Sequence, residues 1–292
     1  MTDAATLRRA ALWMTGAIVS FSAMAVAGRA VAAELDTFEL MTYRSIVGLA
    51  LVVAVGAPTG QLGRIRARRL RLHAIRNLCH FTGQNLWFYA ITVIPLAQVF
   101  ALEFTSPIWV ALGAPLVLAE RLTGTRVLSA VLGFAGILLV ARPDAGGVGP
   151  GQAAAAAAAL GFAATALFTR RLTRTEPIAS ILFWLTVMQA GFGLAMAGLD
   201  GDIAWPSAAL WPWLAVIGCA GLGAHLCLTT ALSMAPASVV MPMDFLRLPV
   251  IAVVGMAFYA EPLQAAVFAG AAVIFAANAL NIRAESRNVS KT

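Results

Sequence analysis

The chain has 292 residues, of which 61% are hydrophobic and 11% charged, with a formal net charge of +7. Soluble domains carry about 25% charged residues, and a mean hydropathy of +0.85 leaves more apolar surface than a water-facing fold can hide, so the solvent around this chain is lipid and a soluble enzyme or binding module is excluded. A nucleic-acid partner is excluded too, because the arginines lie in short loops between apolar runs rather than on one basic face.

A membrane-spanning helix needs about 20 apolar residues. Ten stretches are read as spans: 11–32, 38–56, 74–93, 95–119, 125–141, 152–169, 177–198, 211–233, 235–259 and 262–282. The expected fold is therefore an all-α integral membrane protein of ten transmembrane helices. Pro95 and Pro236 open the fourth and ninth spans, where a missing N–H costs little. Trp205, Trp211 and Trp213 cluster at one span end, as an interfacial belt does. An alternative at the N-terminus is a signal peptide, with Arg8-Arg9, an apolar run and a cleavage-like Ala30-Val31-Ala32. The length of that run and its match to the sixth span favour a retained helix.

Lys and Arg set the orientation. With the N-terminus inside, fifteen fall in inner loops or tails, two (Arg29 and Arg142) fall outside, and Arg44, Arg76 and Arg247 lie within spans. Such a bias places both termini in the cytoplasm. Cys79, Cys219 and Cys227 sit inside apolar spans without metal-like or disulfide-like spacing, as buried small residues do.

The two halves repeat. A shift of 141 residues lays Phe21 on Phe162, Arg29 on Arg170, Tyr43 on Trp184, Gln84 on His225 and Glu103 on Asp244. Residues 1–146 and 147–292 are accordingly expected to be two five-helix repeats of one transmembrane domain. Five crossings is an odd number, so the second half enters from the opposite side and the repeats are inverted, with a substrate site expected between them.

Ala90-x4-Pro95-x3-Val99-x4-Phe104-x2-Pro107-x12-Glu120 recurs as Ala231-x4-Pro236-x3-Val240-x4-Phe245-x3-Pro249-x11-Glu261, and each copy is followed by a last span closing on Arg142-Pro143 or Arg283. This pattern resembles the EamA-type transporters of the drug/metabolite transporter superfamily over about residues 10–285. The resemblance implies ten helices, inverted repeats, a central cavity and a small-metabolite substrate in a bacterial inner membrane. Within that family the chain looks most similar to the bacterial aromatic amino acid exporters (YddG-like), which implies outward transport of amino acids. Subgroups taking up S-adenosylmethionine or riboflavin share the skeleton and stand as the alternative, with an integral membrane enzyme as the alternative class.

Ionisable groups inside a membrane are costly, so each one marks a candidate site. Glu103 and Asp244 lie roughly 12–14 Å into spans that start from opposite sides, and are expected near the midplane as a binding site for an amine, a proton acceptor, or a static pair with an arginine. Arg247 follows Asp244 at i+3 and either pairs with it or holds a substrate carboxylate. Arg44 either pairs with Glu103 or faces the cavity. Gln84, His80 and His225 are further wall candidates, with Gln98 and Gln189 behind them, and a titrating histidine would couple transport to protons. Arg76, at the start of the third span, is expected to snorkel to the interface. Glu120 and Glu261 are expected to act as surface caps, and Trp109 and Phe245 as packing residues. There is no Gly-rich phosphate loop, His-Glu-x-x-His pair or nucleophile elbow. A carrier without catalytic residues, cofactor or metal is expected.

Overall fold

The computed structural model describes residues 4–118, 124–141, 148–199 and 201–289. They form twelve α-helical segments and no strand: α1 (Ala4–Val31), α2 (Thr37–Gly56), α3 (Leu70–Val93), α4 (Leu96–Glu103), α5 (Ser106–Leu118), α6 (Gly124–Ala141), α7 (Pro150–Leu172), α8 (Ile178–Ala197), α9 (Trp211–Met234), α10 (Ala237–Val240), α11 (Arg247–Tyr259) and α12 (Ala265–Val289). Six stretches among the described residues are long and apolar enough to cross a membrane: α1, α2, the α4–α5 unit, α7, α8 and α9, with mean hydropathies of 1.5 to 1.7. α11 and α12 add shorter apolar helices.

The fourth and ninth spans, expected to be continuous, are each broken near the middle. In the fourth, the break falls at Phe104-Thr105, between α4 and α5. Pro107 lacks the N–H that would bond the carbonyl of Glu103 four residues back, and its ring would clash with that carbonyl. The freed oxygen is taken up by Ser106 Oγ at 2.7 Å, while Thr105 Oγ1 bonds the Leu102 carbonyl at 2.8 Å. In the ninth, a 3₁₀ stretch over Met241–Leu246 separates α10 from α11, and Pro242 and Pro249 withhold two backbone donors there. Broken helices survive at membrane depth only where protein or a cavity covers the loose backbone groups. Here the breaks carry Glu103 and Asp244.

Helices of the first half pack chiefly on helices of the second. α1 lies along α9, α3 along α7, α2 along α8 and α6 along α12. Small residues make the closest of these approaches possible. A Cβ on Gly161 of α7 would come within 2.9 Å of the Cys79 carbonyl oxygen and of Gly83 Cα on α3. Asp36 caps α2 by accepting from the N–H groups of Phe38 and Glu39 at 2.7 and 2.8 Å, and the Glu39 carboxylate accepts from the Asp36 N–H at 3.0 Å. Glu39 also accepts from the Ala204 N–H at 2.5 Å, and Tyr43 donates to the Ala204 carbonyl at 2.7 Å, which ties α2 to the segment before α9.

The buried apolar residues fall into two groups. One contains Leu40, Phe88, Ile91, Leu96, Val99 and Phe100 near one end of the bundle, and the other Ala10, Met14, Leu118, Leu167, Leu232 and Ala235 near the opposite end. Gly161→Val should force α3 and α7 apart and cost about 1–3 kcal/mol, read as a lowered thermal midpoint of the purified protein. Gly191→Ala in the interior of α8, where a new Cβ meets nothing within 4 Å, should not lower the midpoint and should raise it slightly, by about 0.5–1 kcal/mol of helix stability.

Candidate functional site

Arg247 opens α11 directly after the break, and Asp244 lies in the break itself, so their i, i+3 spacing puts both on one side of the chain. Glu103 ends α4 and approaches from the other half. A single nitrogen, Arg247 Nη2, donates to Glu103 Oε1 at 2.7 Å and also to Asp244 Oδ2. Trp87 Nε1 of α3 donates to the second Glu103 oxygen at 2.8 Å. The guanidinium faces the Phe100 ring at 4.6 Å and the Phe21 ring at 4.8 Å, so aromatic faces add to the charge pairing. Arg247 is 1% exposed. One buried cation thus holds two carboxylates.

This cluster forms part of the wall of a partly open cavity spanning about 640 Å³, the open space at its mouth included. α3 contributes Arg76, His80, Gln84 and Trp87, at spacings of four, four and three that define one helix face. α7 contributes Phe162, Thr165, Ala166 and Thr169, and α9 contributes His225, Leu228 and Thr229. Met14, Phe21 and Met24 of α1 and Met241 of the second break close the rest. The His80 and His225 rings meet edge to face with centroids 4.5 Å apart, and Phe162 and Phe21 flank them at 6.2 and 5.9 Å. All four ring nitrogens of the two histidines are buried without a hydrogen-bond partner, as are Gln84 Nε2, Thr229 Oγ1 and Asp244 Oδ1. Buried polar atoms are satisfied in the great majority of cases, so this concentration around a cavity marks groups that water or a solute in the cavity would satisfy.

Of the eight residues singled out from the sequence, Glu103, Asp244, Arg247, Gln84, His80 and His225 share this wall. Arg44 neither pairs with Glu103 nor reaches the cavity. It lines a smaller cavity between α2, α8 and α9, with Ser45, Thr186, Gln189, Gly218 and Gly221, and its Nη1 contacts Met41 Sδ at 3.5 Å. A Cβ on Gly221 would lie 2.7 Å from Arg44 Nη2, so the missing side chain is what leaves room for the guanidinium. Gln98 is buried in α4 and is not among the residues lining the cavity. Gln189 instead bonds the Asn77 carbonyl at 2.7 Å.

Arg76 corrects the expectation of a snorkelling side chain. It is 1% exposed, and its Nε donates to Thr169 Oγ1 at 3.1 Å and its Nη1 to Asn77 Oδ1 at 2.7 Å. Its i, i+4, i+8 relation to His80 and Gln84 was the signal that could have placed it on the wall. Glu261 is likewise no simple surface cap. It pairs with Arg29 and accepts from the Leu96 N–H at 2.8 Å, while Arg29 also bonds the carbonyls of Ile91 at 2.6 Å and Ile94 at 3.0 Å. Glu120, Arg142 and Pro143 lie outside the described residues, as do the side chains of Phe245 and Arg283. Among the described residues no group of His, Cys, Asp and Glu is placed to hold a metal ion.

The profile of the EamA-like transporter family matches residues 8–142 and again 149–283. The chain belongs to the EamA-like transporter family. It is a multi-pass membrane transporter. A riboflavin transporter of Brucella anthropi is 34% identical over 76% of this chain and 80% of its own length. An S-adenosylmethionine uptake transporter of Rickettsia bellii is 25% identical over 96% of this chain and 95% of its own. A solved crystal structure superimposes with a TM-score of 0.68 at 22% identity, covering 95% of this chain and 98% of that one, which shows the fold. The family resemblance read from the repeated motif is thus shown. The names of these two relatives are those of vitamin and nucleoside-derivative carriers, whereas the sequence pattern pointed first to amino acid export.

Removing one partner from a buried ion cluster strands the others. Arg247→Ala should therefore destabilise this EamA-family protein by about 3–5 kcal/mol. Arg247→Met combined with Glu103→Gln and Asp244→Asn, which removes all three charges, should recover most of that loss in thermal unfolding. An Arg247→Ala protein as stable as the parent would show that the cluster does not hold the breaks together.

Proposed function

We propose that this protein takes up a flat heteroaromatic metabolite of the riboflavin or S-adenosyl kind across the bacterial inner membrane, by alternating access at the cavity bounded by α1, α3, α7 and α9. The observation that carries this reading is the pairing of aromatic walls (Phe21, Phe162, Trp87) with the unpartnered polar atoms of His80, His225, Gln84 and Thr229. Aromatic faces stack on a ring system, and donors and acceptors in fixed positions read its edge. The names of the two relatives support the same class. Amino acid export is the competing reading. It is weakened because Arg247 Nη2, beside Asp244, is already shared between two carboxylates, so an α-carboxylate would find only the Nε donor of Arg247 unpartnered there.

The transport geometry in this proposal is a pair of inverted five-crossing repeats, with α4–α5 and α10–α11 each counted as one crossing. The 141-residue shift maps α1 on α9 to α7 on α3, the two most extensive packings in the molecule. It also maps a hydrogen bond. Arg29 Nε bonds the Ile91 carbonyl and Arg170 Nη1 bonds the Leu232 carbonyl, both at 2.6 Å. With both termini in the cytoplasm, as the distribution of Lys and Arg favours, the Arg29–Glu261 pair closes the outer end. Met14, Arg76 and Thr169 then lie on the inner side of Glu103, where they are buried and Arg170 makes the matching bond to Leu232.

Proteoliposome uptake of labelled riboflavin, S-adenosylmethionine and a panel of amino acids, at two pH values, tests this directly. Saturable uptake of riboflavin or S-adenosylmethionine, lost in Asp244→Asn, is expected, and a response to a proton gradient would show coupling. Amino acid flux without either would return the chain to the export reading, and no protein-dependent flux would sink both. The outer closure has its own test. In a cysteine-free background, Val99→Cys, fully buried beneath that closure, should react several-fold faster with an impermeant maleimide applied outside once Glu261→Gln is added. An unchanged rate would remove the Arg29–Glu261 pair from the closure.

A further inference from the structure

Arg76 is the one side chain on the cavity wall whose charge nothing in its surroundings explains. It is 1% exposed, yet its hydrogen bonds go to a hydroxyl and an amide oxygen, Thr169 Oγ1 and Asn77 Oδ1. Among the described residues no carboxylate lies within ion-pairing distance of it. Neutral acceptors satisfy donors but do not offset a charge, and an uncompensated buried charge is among the most costly features a protein retains. Arg247, on the same wall, has the opposite situation, with two carboxylates on one cation.

The cavity is therefore polarised. Two carboxylates on one cation sit at its Trp87 end and a lone guanidinium at its Arg76 end, eleven residues apart on α3, or about 16 Å of helix. His80 lies one turn from Arg76, facing His225, with the ring nitrogens of both and Thr229 Oγ1 unpartnered. We propose that Arg76, with His80 and His225 beside it, forms an oxyanion subsite: the transported solute carries a carboxylate or phosphate that seats on Arg76, while its ring stacks along the aromatic wall and its donor edge faces Asp244. This rests on the uptake reading above and narrows it. The solute is elongated, on the order of 12 Å for the two turns from Arg76 to Gln84, and it is anionic at its cytoplasmic end. A free amino acid, with its amine and carboxylate on one carbon, is too short to engage both ends.

The test uses matched pairs on the full-length protein in nanodiscs: riboflavin against riboflavin 5′-phosphate, and S-adenosylmethionine against its decarboxylated form. The member carrying the oxyanion should bind about tenfold or more tightly, as a hydrogen-bonded charge pair implies. Arg76→Gln should abolish that preference while leaving the other member within about twofold, and Arg76→Lys should restore part of it, because it keeps the charge but not the fork. Equal binding within both pairs, or an equal loss of both members in Arg76→Gln, overturns the subsite.

A second measurement does not depend on the identity of the solute. Inorganic phosphate should raise the thermal midpoint of the parent protein and not that of Arg76→Gln, since only the form that binds the ion is stabilised by it. Phosphate that stabilises both, or neither, overturns the subsite. If phosphate stabilises the parent alone while none of the four solutes binds, the subsite stands and the solute class proposed for uptake falls.

Discussion

Everything at the centre of this molecule is arranged around one nitrogen, Arg247 Nη2, which holds Glu103 from one half and Asp244 from the other. Three ionised groups removed from water are affordable only when they meet, and each of these meets another only if both broken spans reach the same point. The charges require the breaks, because an unbroken helix through Glu103 would carry the fourth span straight on and keep its carbonyls in the helical ladder. The backbone groups released at the fourth-span break are taken up by Ser106 and Thr105, as loose backbone at membrane depth requires.

Proline placement makes this possible at little local cost. Pro107 is the second residue of α5 and Pro249 the third of α11. Both are first-turn positions where the N–H would find no intrahelical partner anyway. Each therefore stops the preceding segment without harming the one it begins. Glu103 ends α4 and Asp244 lies in the 3₁₀ stretch, so each side chain leaves the chain where the regular α-helix stops. A carboxylate in the middle of a continuous helix would have faced one neighbour. At the break it is shared.

Much of this was visible in the residues. The repeat, the apolar spans and the cost of intramembrane charge together singled out Glu103, Asp244, Arg247, Gln84, His80 and His225, and all six share one wall. What failed was rotational phase. α2 is apolar on nearly every side, so no polar stripe showed that Arg44 points toward α8 and α9 rather than toward Glu103. Arg76 failed for a different reason. Six residues from the start of α3, it is within snorkelling reach of an interface in a lone helix, and only the packing of α7 over that end encloses it. The breaks themselves were written in Pro107 and Pro249 but were hidden by treating each apolar run as one continuous helix. Glu261 looked like a terminal cap because depth was counted along its own span, whereas its partners, Arg29 and Leu96, come from helices far away in sequence.

The duplicated architecture also explains why the asymmetric residues matter most. A chain made of two related halves inherits two related walls, as Phe21 and Phe162 show across the His80–His225 contact. A solute with unlike ends cannot be recognised by like walls. Three departures supply the difference: Ser106 stands where the second half has Arg247, His225 stands where the first has Gln84, and Arg76 stands where the second half has Ile217. Arg247 draws both carboxylates to one end of the cavity, and Arg76 leaves a cation at the other. In the proposed carrier the symmetric positions would build the path, and the asymmetric ones would give it a direction along which a dipolar solute aligns. In the carrier proposed above, recognition would thus fall to the positions where the repeat has diverged, on a frame held together by those where it has not.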